Sequence, residues 1–186
     1  MCRKLWTHPL VLFTVTILVM ISDQGSKLLV ERRMTLGQSV SVVGSFFHLT
    51  FIRNAGSAFG IFLGGGWFYM ISSIVAVILI FYYLRRISAG HVWSKVSLAM
   101  ILGGALGNLA DRLRIGAVTD FLDFGIGRLR WPVFNVADAA VTVGVAIFLL
   151  TLLLKKKEDR GKDHEIHSSQ TSEETAPGSV SGWSQT

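Results

Sequence analysis

The residues best suited to chemistry in this sequence are a small set of carboxylates. Ahead of residue 155, the 186-residue chain contains only six acidic side chains, Asp23, Glu31, Asp111, Asp120, Asp123 and Asp138. Two carboxylates held close together do not both ionise readily, so one keeps a proton and acts as an acid while the other acts as a base on water. The set therefore predicts hydrolysis of the aspartyl type, which needs neither a metal nor a cofactor.

The six acids differ in how well an ordinary ion pair explains them. Glu31 precedes Arg32 and Asp111 precedes Arg112 in the sequence, so a simple ion pair is an adequate interpretation of both. Asp138 lies within an apolar run that has no neighbouring cation. Because a carboxylate near hydrocarbon is costly unless it is paired, Asp138 is expected to have a partner from elsewhere in the chain.

Other catalytic classes lack the residues that they require. Cys2 is the only cysteine, which excludes an intramolecular disulfide and a cysteine-based metal site. Among the four apolar stretches only the first contains a histidine, His8 near its start, so Ser57 lacks a clearly placed base to activate it. The five histidines form no zinc-binding pattern: His8, His48, His91, His164 and His167. We expect no metal and no cofactor.

The elements that must position these acids are apolar helices. The chain is 51% hydrophobic and 16% charged, which indicates a polytopic membrane protein. Four apolar stretches approach the ~20 residues that a membrane-spanning helix needs. They are Leu5 to Ser22, Gly66 to Leu84, Val96 to Ala110 and Val133 to Leu154.

Basic clusters predict the orientation of four such spans. Arg3 and Lys4, Arg85 and Arg86 with Lys95, and Lys155 to Lys157 all fall on one side of the membrane. The positive-inside rule assigns this side, with both termini, to the cytoplasm. The opposite loops also carry arginines, but mixed with acids. Membrane topology accounts for the net charge of +6, so no nucleic-acid partner is indicated.

The predicted outward loops are residues 23–65 and 111–132. Within the first loop, the stretch from Val40 to Ile52 is rich in Val, Phe and Thr and is interrupted at Gly44, which predicts short strands in a small extracytoplasmic β-sheet. Residues 1–154 form the predicted four-span membrane domain. Residues 155–186 are rich in charged and small polar residues and are expected to be a disordered cytoplasmic tail.

Five short motifs surround the acids. They are Asp23–Lys27 (DQGSK), Asn54–Gly60 (NAGSAFG), Gly103–Arg112 (GGALGNLADR), Val118–Phe121 (VTDF) and Phe134–Asp138 (FNVAD). In this order, on a chain with four spans, they resemble the lipoprotein signal peptidase family, also called signal peptidase II. Any one of them alone is a weak signal, because Asn-x-Gly is a common turn and paired small residues are an ordinary helix contact. The resemblance covers about residues 8–154.

The resemblance implies that Asp120 and Asp138 form a catalytic dyad. It also implies that six polar residues line or brace the site: Asp23, Lys27, Asn54, Asn108, Arg112 and Asn135. The residues by themselves leave Asp111 and Asp123 as open alternatives for the dyad.

The implied substrate is a prolipoprotein whose cysteine already carries diacylglycerol, cut immediately before that cysteine. The implied location is the bacterial inner membrane, with the active site near the extracytoplasmic face. We expect a monomer whose partners are this substrate and membrane lipids.

Two other functions are compatible with a small membrane protein that carries a few clustered acids. A proton-coupled carrier would use Asp120 and Asp138 as ion-binding groups. The acids gather at one membrane face, however, and no inverted repeat is visible in the sequence. A non-enzymatic assembly factor would use the motifs for helix packing and loop structure alone.

Overall fold

The computed structural model describes residues 9–58, 61–62, 66–86 and 92–174, in which four helices account for most of the chain. They are α1 (Pro9–Arg33), α2 (Gly66–Arg86), α3 (Val92–Ile115) and α4 (Val136–Glu174). Each contains a segment long and apolar enough to cross a membrane: Leu10–Arg33, Trp67–Arg85, Val92–Ile115 and Val136–Lys155. The predicted architecture of four membrane-spanning helices is confirmed.

Two helices continue past their apolar stretches into polar turns that carry acidic residues. Helix α1 continues to Arg33 and α3 to Ile115, so Asp23 and Asp111 lie on helices and not at the start of loops as the sequence predicts. Apolar composition marks only the part of a helix that faces lipid. The polar turns that follow stay helical because their charged side chains find partners, such as the i, i+4 pair of Asp23 and Lys27.

A four-stranded antiparallel sheet is formed by the segments that follow α1 and α3. The strands β1 (Ser39–Val43) and β2 (Phe47–Asn54) pair with β5 (Val118–Ile126) and β6 (Leu129–Arg130) in the order β1-β2-β5-β6. The predicted strands in the first loop are confirmed, and β5 is an additional strand. The short strands β3 (Ser57–Ala58) and β4 (Ile61–Phe62) form a separate pair.

Two contacts position the elements of the site, one between α1 and the sheet and one between α3 and α4. Val30 of α1 packs with Phe51 and Phe121 of the sheet in a small buried cluster. Helix α3 approaches α4 so closely that a Cβ atom on Gly104 would lie 2.5 Å from the backbone oxygen of Ala137. The absence of a side chain at Gly104 therefore permits the close packing that brings the start of α4 beside α3.

The chain divides into two compact units between Phe148 and Leu149. In the second unit, α4 remains helical through Glu174, whereas the sequence predicts disorder from residue 155. Lys, Glu and Arg are good helix formers, so a polar segment that cannot form a core still extends an existing helix. Residues 175–186 of the predicted tail lie outside the described residues.

Candidate active site

Asp120 and Asp138 line one cavity of about 660 Å³. Asp120 is the third residue of β5 and is only 2% exposed. Asp138 is the third residue of α4. The two carboxylates are 18 residues apart in sequence, and the turn back from the sheet into α4 brings them to the same cavity.

The start of α4 holds Asp138 in place. Asn135 precedes the helix, and its side-chain oxygen accepts a hydrogen bond of 2.9 Å from the backbone N–H of Asp138. The backbone N–H of Asn135 lies 3.4 Å from Oδ2 of Asp138 in return. This reciprocal arrangement is a capping box, which satisfies backbone donors that a helix otherwise leaves unpaired. It also fixes the carboxylate in the first turn of α4.

Asparagine amides connect the two carboxylates. Nδ2 of Asn135 donates to Oδ1 of Asp120 at 2.6 Å, and Nδ2 of Asn108 donates to Oδ1 of Asp138 at 2.8 Å. Asn135 also donates to the side-chain oxygen of Asn108 at 3.2 Å. Asn54, at the end of β2, donates to the other oxygen of Asp120 at 3.2 Å. The three asparagines and two aspartates therefore form one hydrogen-bonded network whose amide N–H groups face the acids.

The buried Lys27 contacts this network through Asn108. Nζ of Lys27 lies 2.8 Å from Asp23 and 3.1 Å from Asp111, and it donates to Oδ1 of Asn108 at 3.0 Å. The lysine and both carboxylates are fully buried. Because Oδ1 of Asn108 accepts from Lys27, its Nδ2 is directed towards Asp138.

Asp23 and Asp111 also bind backbone groups next to the dyad. Oδ1 of Asp23 accepts from the N–H of Ala137 at 2.9 Å, in the first turn of α4. Oδ2 of Asp111 accepts from the N–H of Thr119 at 3.0 Å, immediately before Asp120 in β5. Both carboxylates therefore anchor the two elements that carry the candidate dyad, and the structure gives Asp111 a bracing position outside the cavity.

Burial and charge act on Asp120. Removal from water, together with the nearby charge of Asp138, raises the pKa of Asp120 to about 6, although hydrogen bonds from Asn135 and Asn54 oppose the shift. A carboxyl with such a pKa exchanges its proton near neutral pH, which suits acid–base chemistry.

Asp123 lies away from this site. Oδ1 of Asp123 pairs with Arg130 at 2.7 Å and Oδ2 accepts from Thr50 at 2.7 Å. Although burial favours the neutral form, these hydrogen bonds lower the pKa of Asp123 below its usual value. Asp123 is therefore an ionised partner in the sheet, and it does not line the cavity.

Glu31 forms an ion pair, as the sequence suggests, but its partner is Arg114 and not Arg32. Its carboxylate binds Arg114 of α3 through two hydrogen bonds of 2.6 and 2.8 Å. The neighbour in sequence, Arg32, points elsewhere on the helix because adjacent residues of a helix do not share a face.

The remaining wall of the cavity combines Arg112, which the sequence singles out, with residues that it does not. Arg112 of α3 faces Tyr69 of α2, the segment Trp131–Phe134, and Thr142 of α4 around the cavity. Gly56, with φ of 114°, also lines it beside Tyr69. The Asn-x-Gly turn is a sequence signal for Gly56. Tyr69 and Thr142 have no such signal, because they are ordinary residues of apolar helices.

A metal-binding cluster is not found in the described part of the chain. No group of three or more His, Cys, Asp and Glu side chains there is arranged to hold an ion.

Comparison with known proteins agrees with this geometry. The family model for signal peptidase II (SPase II), peptidase family A8, matches residues 15–154. The lipoprotein signal peptidase of Syntrophus aciditrophicus (strain SB) is 41% identical over 156 residues, covering 81% of this chain and 97% of that relative. The lipoprotein signal peptidase of Bacillus subtilis (strain 168) is 37% identical over 150 residues, covering 78% of this chain and 97% of that relative.

Two bacterial membrane enzymes solved by the in meso method, at 2.3 and 1.9 Å resolution, have the same fold. Their TM-scores are 0.73 and 0.70, and their sequence identities are 32% and 34%. The matches cover 79% and 76% of this chain and 90% and 92% of those chains. The resemblance inferred from the five motifs is thus confirmed, and this membrane protein belongs to the signal peptidase II family of peptidases.

Proposed function

We propose that the protein is an aspartic endopeptidase that removes the signal peptide from diacylglyceryl-modified prolipoproteins and cuts immediately before the lipidated cysteine. The observation that carries this proposal is the pair Asp120 and Asp138, which line one cavity and are linked through Asn135 and Asn108. This chemistry needs only the two carboxyl groups and water.

The dyad divides the reaction between a base and an acid. The ionised carboxylate takes a proton from water, whose oxygen attacks the carbonyl carbon of the scissile peptide bond. The protonated carboxyl gives its proton to the carbonyl oxygen, which produces a neutral tetrahedral intermediate. The C–N bond of the intermediate then breaks as the nitrogen gains a proton from the protonated carboxyl. A hydroxyl proton of the intermediate passes to the ionised carboxylate, which restores the starting state of the dyad.

The other polar residues support the dyad in this proposal. Asn54, Asn108 and Asn135 orient the carboxylates through the amide donors described above. Lys27, paired with Asp23, supports the network through its hydrogen bond to Asn108. Arg112 lines the cavity and contributes to substrate binding.

The substrate is one that already lies in the membrane. The cavity is walled on one side by Ala139, Thr142 and Val143 of α4, all within the candidate span. Two acyl chains in the bilayer reach such a wall without crossing water, and transfer into water would cost about 0.8 kcal/mol per methylene. An apolar wall next to the acids therefore fits a lipidated peptide.

We further propose the orientation of the chain in the bacterial inner membrane. Asp23 and Asp111 lie towards the ends of α1 and α3, and Asp138 at the start of α4, so the acids share one end of the helices. The cluster Arg85–Arg86 ends α2, and Lys155–Lys157 follow Asp138 by one apolar run in the sequence, so both clusters are expected at the opposite membrane face. The positive-inside rule then places both termini in the cytoplasm and the dyad near the extracytoplasmic face. In this proposal the enzyme is a monomer.

A cleavage assay tests the proposed function. Purified protein in lipid is incubated with a diacylglyceryl-modified precursor and, as a matched control, with the same precursor lacking the lipid. We expect cleavage of the modified precursor before its cysteine and little cleavage of the control. A proton-coupled carrier or an assembly factor would leave both precursors intact.

Metal removal is expected to leave turnover unchanged, because the proposed reaction uses two carboxyl groups. Chelator is added to the purified protein, and the initial rate of cleavage is compared before and after dialysis. Loss of activity that is restored by zinc would contradict the aspartic mechanism.

The pH profile is expected to fall on the alkaline side. The pKa of Asp120 is raised to about 6, so the dyad keeps its proton at mildly acidic pH and loses it as the pH rises. Above the apparent pKa of the pair, kcat/KM should fall about tenfold per pH unit. The measurement is kcat/KM from about pH 5 to about pH 9 at constant ionic strength, and a flat profile over this range would contradict the shared proton.

We also propose that residues 1–154 form the catalytic domain and that the polar segment after them is not needed for cleavage. Truncation after Lys157 keeps the basic cluster that anchors the fourth span. The truncated protein is expected to retain nearly full activity in the cleavage assay. Loss of cleavage in a truncated protein that still enters the membrane would show that the tail contributes.

A further inference from the structure

Arg112 lines the cavity without an ion-pair partner among the described residues. The five ion pairs of that part of the chain involve Lys27, Arg114 and Arg130 as cations, and none involves Arg112. A positive charge in a membrane protein is costly unless it has a function or a counter-charge. The guanidinium group nevertheless faces the cavity that contains Asp120 and Asp138.

Two neutral oxygens hold one end of this guanidinium. Nη1 of Arg112 donates to Oγ of Ser73 at 3.1 Å and lies 3.4 Å from the backbone oxygen of Asn108. Ser73 in turn donates its hydroxyl proton to the backbone oxygen of Tyr69 at 2.7 Å. The hydroxyl proton is therefore directed away from Arg112, and a lone pair of Oγ accepts from Nη1.

The neighbouring serine provides a direct contrast. Ser72 also donates to the backbone oxygen of Tyr69, at 3.0 Å, but it is exposed and makes no hydrogen bond with Arg112. A serine that bonds back to its own helix is an ordinary feature of apolar helices. The contact with Arg112 is what distinguishes Ser73.

We propose that Ser73 is a positioning residue, which holds Arg112 so that the other donors of its guanidinium bind a carbonyl oxygen of the substrate. The inference rests on the proposed function. The guanidinium is planar and its donors form a fixed fork, so anchoring Nη1 also sets the direction of the remaining N–H groups. Both anchors are neutral oxygens, and neither uses the remaining N–H groups of the guanidinium. A carbonyl oxygen is an acceptor that a charged guanidinium binds well.

The carbonyl could belong to the peptide or to an acyl ester of the lipid, since both present the same acceptor. A substrate with ether-linked alkyl chains lacks the ester carbonyls and keeps the peptide carbonyls. Comparison of diacyl and dialkyl precursors therefore identifies the source of the oxygen.

The experiment compares Ser73→Ala, Ser72→Ala and Ser73→Thr in the full-length protein. Ser73→Ala is expected to raise KM about three- to tenfold with kcat within about twofold of wild type, because a binding contact of substrate and transition state is weakened equally. Ser72→Ala should leave both constants within about twofold of wild type, since it removes only the bond to its own helix. Ser73→Thr keeps the hydroxyl and should restore KM. Thermal unfolding of each variant monitors the fold.

The outcomes separate this inference from the proposed function. Failure of the wild-type protein to cleave the lipidated precursor would remove the proposed function and the inference with it. Cleavage by wild type, with Ser73→Ala indistinguishable from Ser72→Ala, would overturn the inference alone. A fall in kcat at unchanged KM, or no rescue by threonine, would also overturn it. A raised KM for both precursors supports a peptide carbonyl, and a raised KM for the diacyl precursor only supports an ester carbonyl.

Discussion

Asp120→Asn and Asp138→Asn are each expected to lower the rate of prolipoprotein cleavage by about 10³-fold or more while leaving the protein folded. Asparagine keeps the shape of the side chain but cannot exchange the proton. Each carboxylate accepts a hydrogen bond from an amide that is held in place by other partners, so the surrounding network is expected to persist. The measurements are the single-turnover rate of cleavage and the melting temperature of each variant.

The two carboxylates are expected to act as one unit. Removal of either leaves no partner for the proton, so the double variant should be little slower than each single variant. Additive losses in the double variant would indicate independent roles and would contradict a dyad.

Asp123→Asn is the matched control for these substitutions. Asp123 lies in the same strand as Asp120 but pairs with Arg130 and Thr50 outside the cavity. Its substitution is expected to keep substantial activity. If Asp123→Asn or Asp111→Asn abolished cleavage while Asp120→Asn retained it, the assignment of the dyad would be wrong, although an aspartic mechanism could remain.

The second large effect is expected from Lys27→Met, which should destabilise the protein by about 3–5 kcal/mol. Methionine fills a similar volume but removes the cation that lies within salt-bridge distance of both Asp23 and Asp111. Two fully buried carboxylates would then lack their main counter-charge. Free energies of unfolding, measured by denaturant titration in mixed micelles, test this expectation.

Arg114→Gln is the matched control on the same helix bundle. Arg114 also pairs with carboxylates, but its side chain is 43% exposed, so water screens the interaction. The expected loss is about 1 kcal/mol or less. Equal losses for the two variants would show that burial does not strengthen the role of Lys27.

Local sequence was sufficient for the membrane architecture and for the first two strands. Runs such as Gly66–Leu84 predict spans because the hydropathy of a run depends only on the residues in it. A helix in a membrane also satisfies its own backbone hydrogen bonds, so no distant contact is required. The abundance of Val, Phe and Thr between Val40 and Ile52 predicts strands for the same reason. The motifs around Asp120 and Asp138 indicated the family for a different reason, since this came from resemblance and not from geometry.

Tertiary structure alone decided which partners the buried acids bind and that Asp111 lies outside the cavity. In sequence, Asp111 is a charged residue next to an arginine, much like Glu31, yet it binds Lys27 and the backbone of Thr119. Asp23 binds Ala137, which is 114 residues away. Such partners depend on how the helices and the sheet pack, because a buried charge is satisfied by whichever group the fold brings to it and not by its neighbour along the chain.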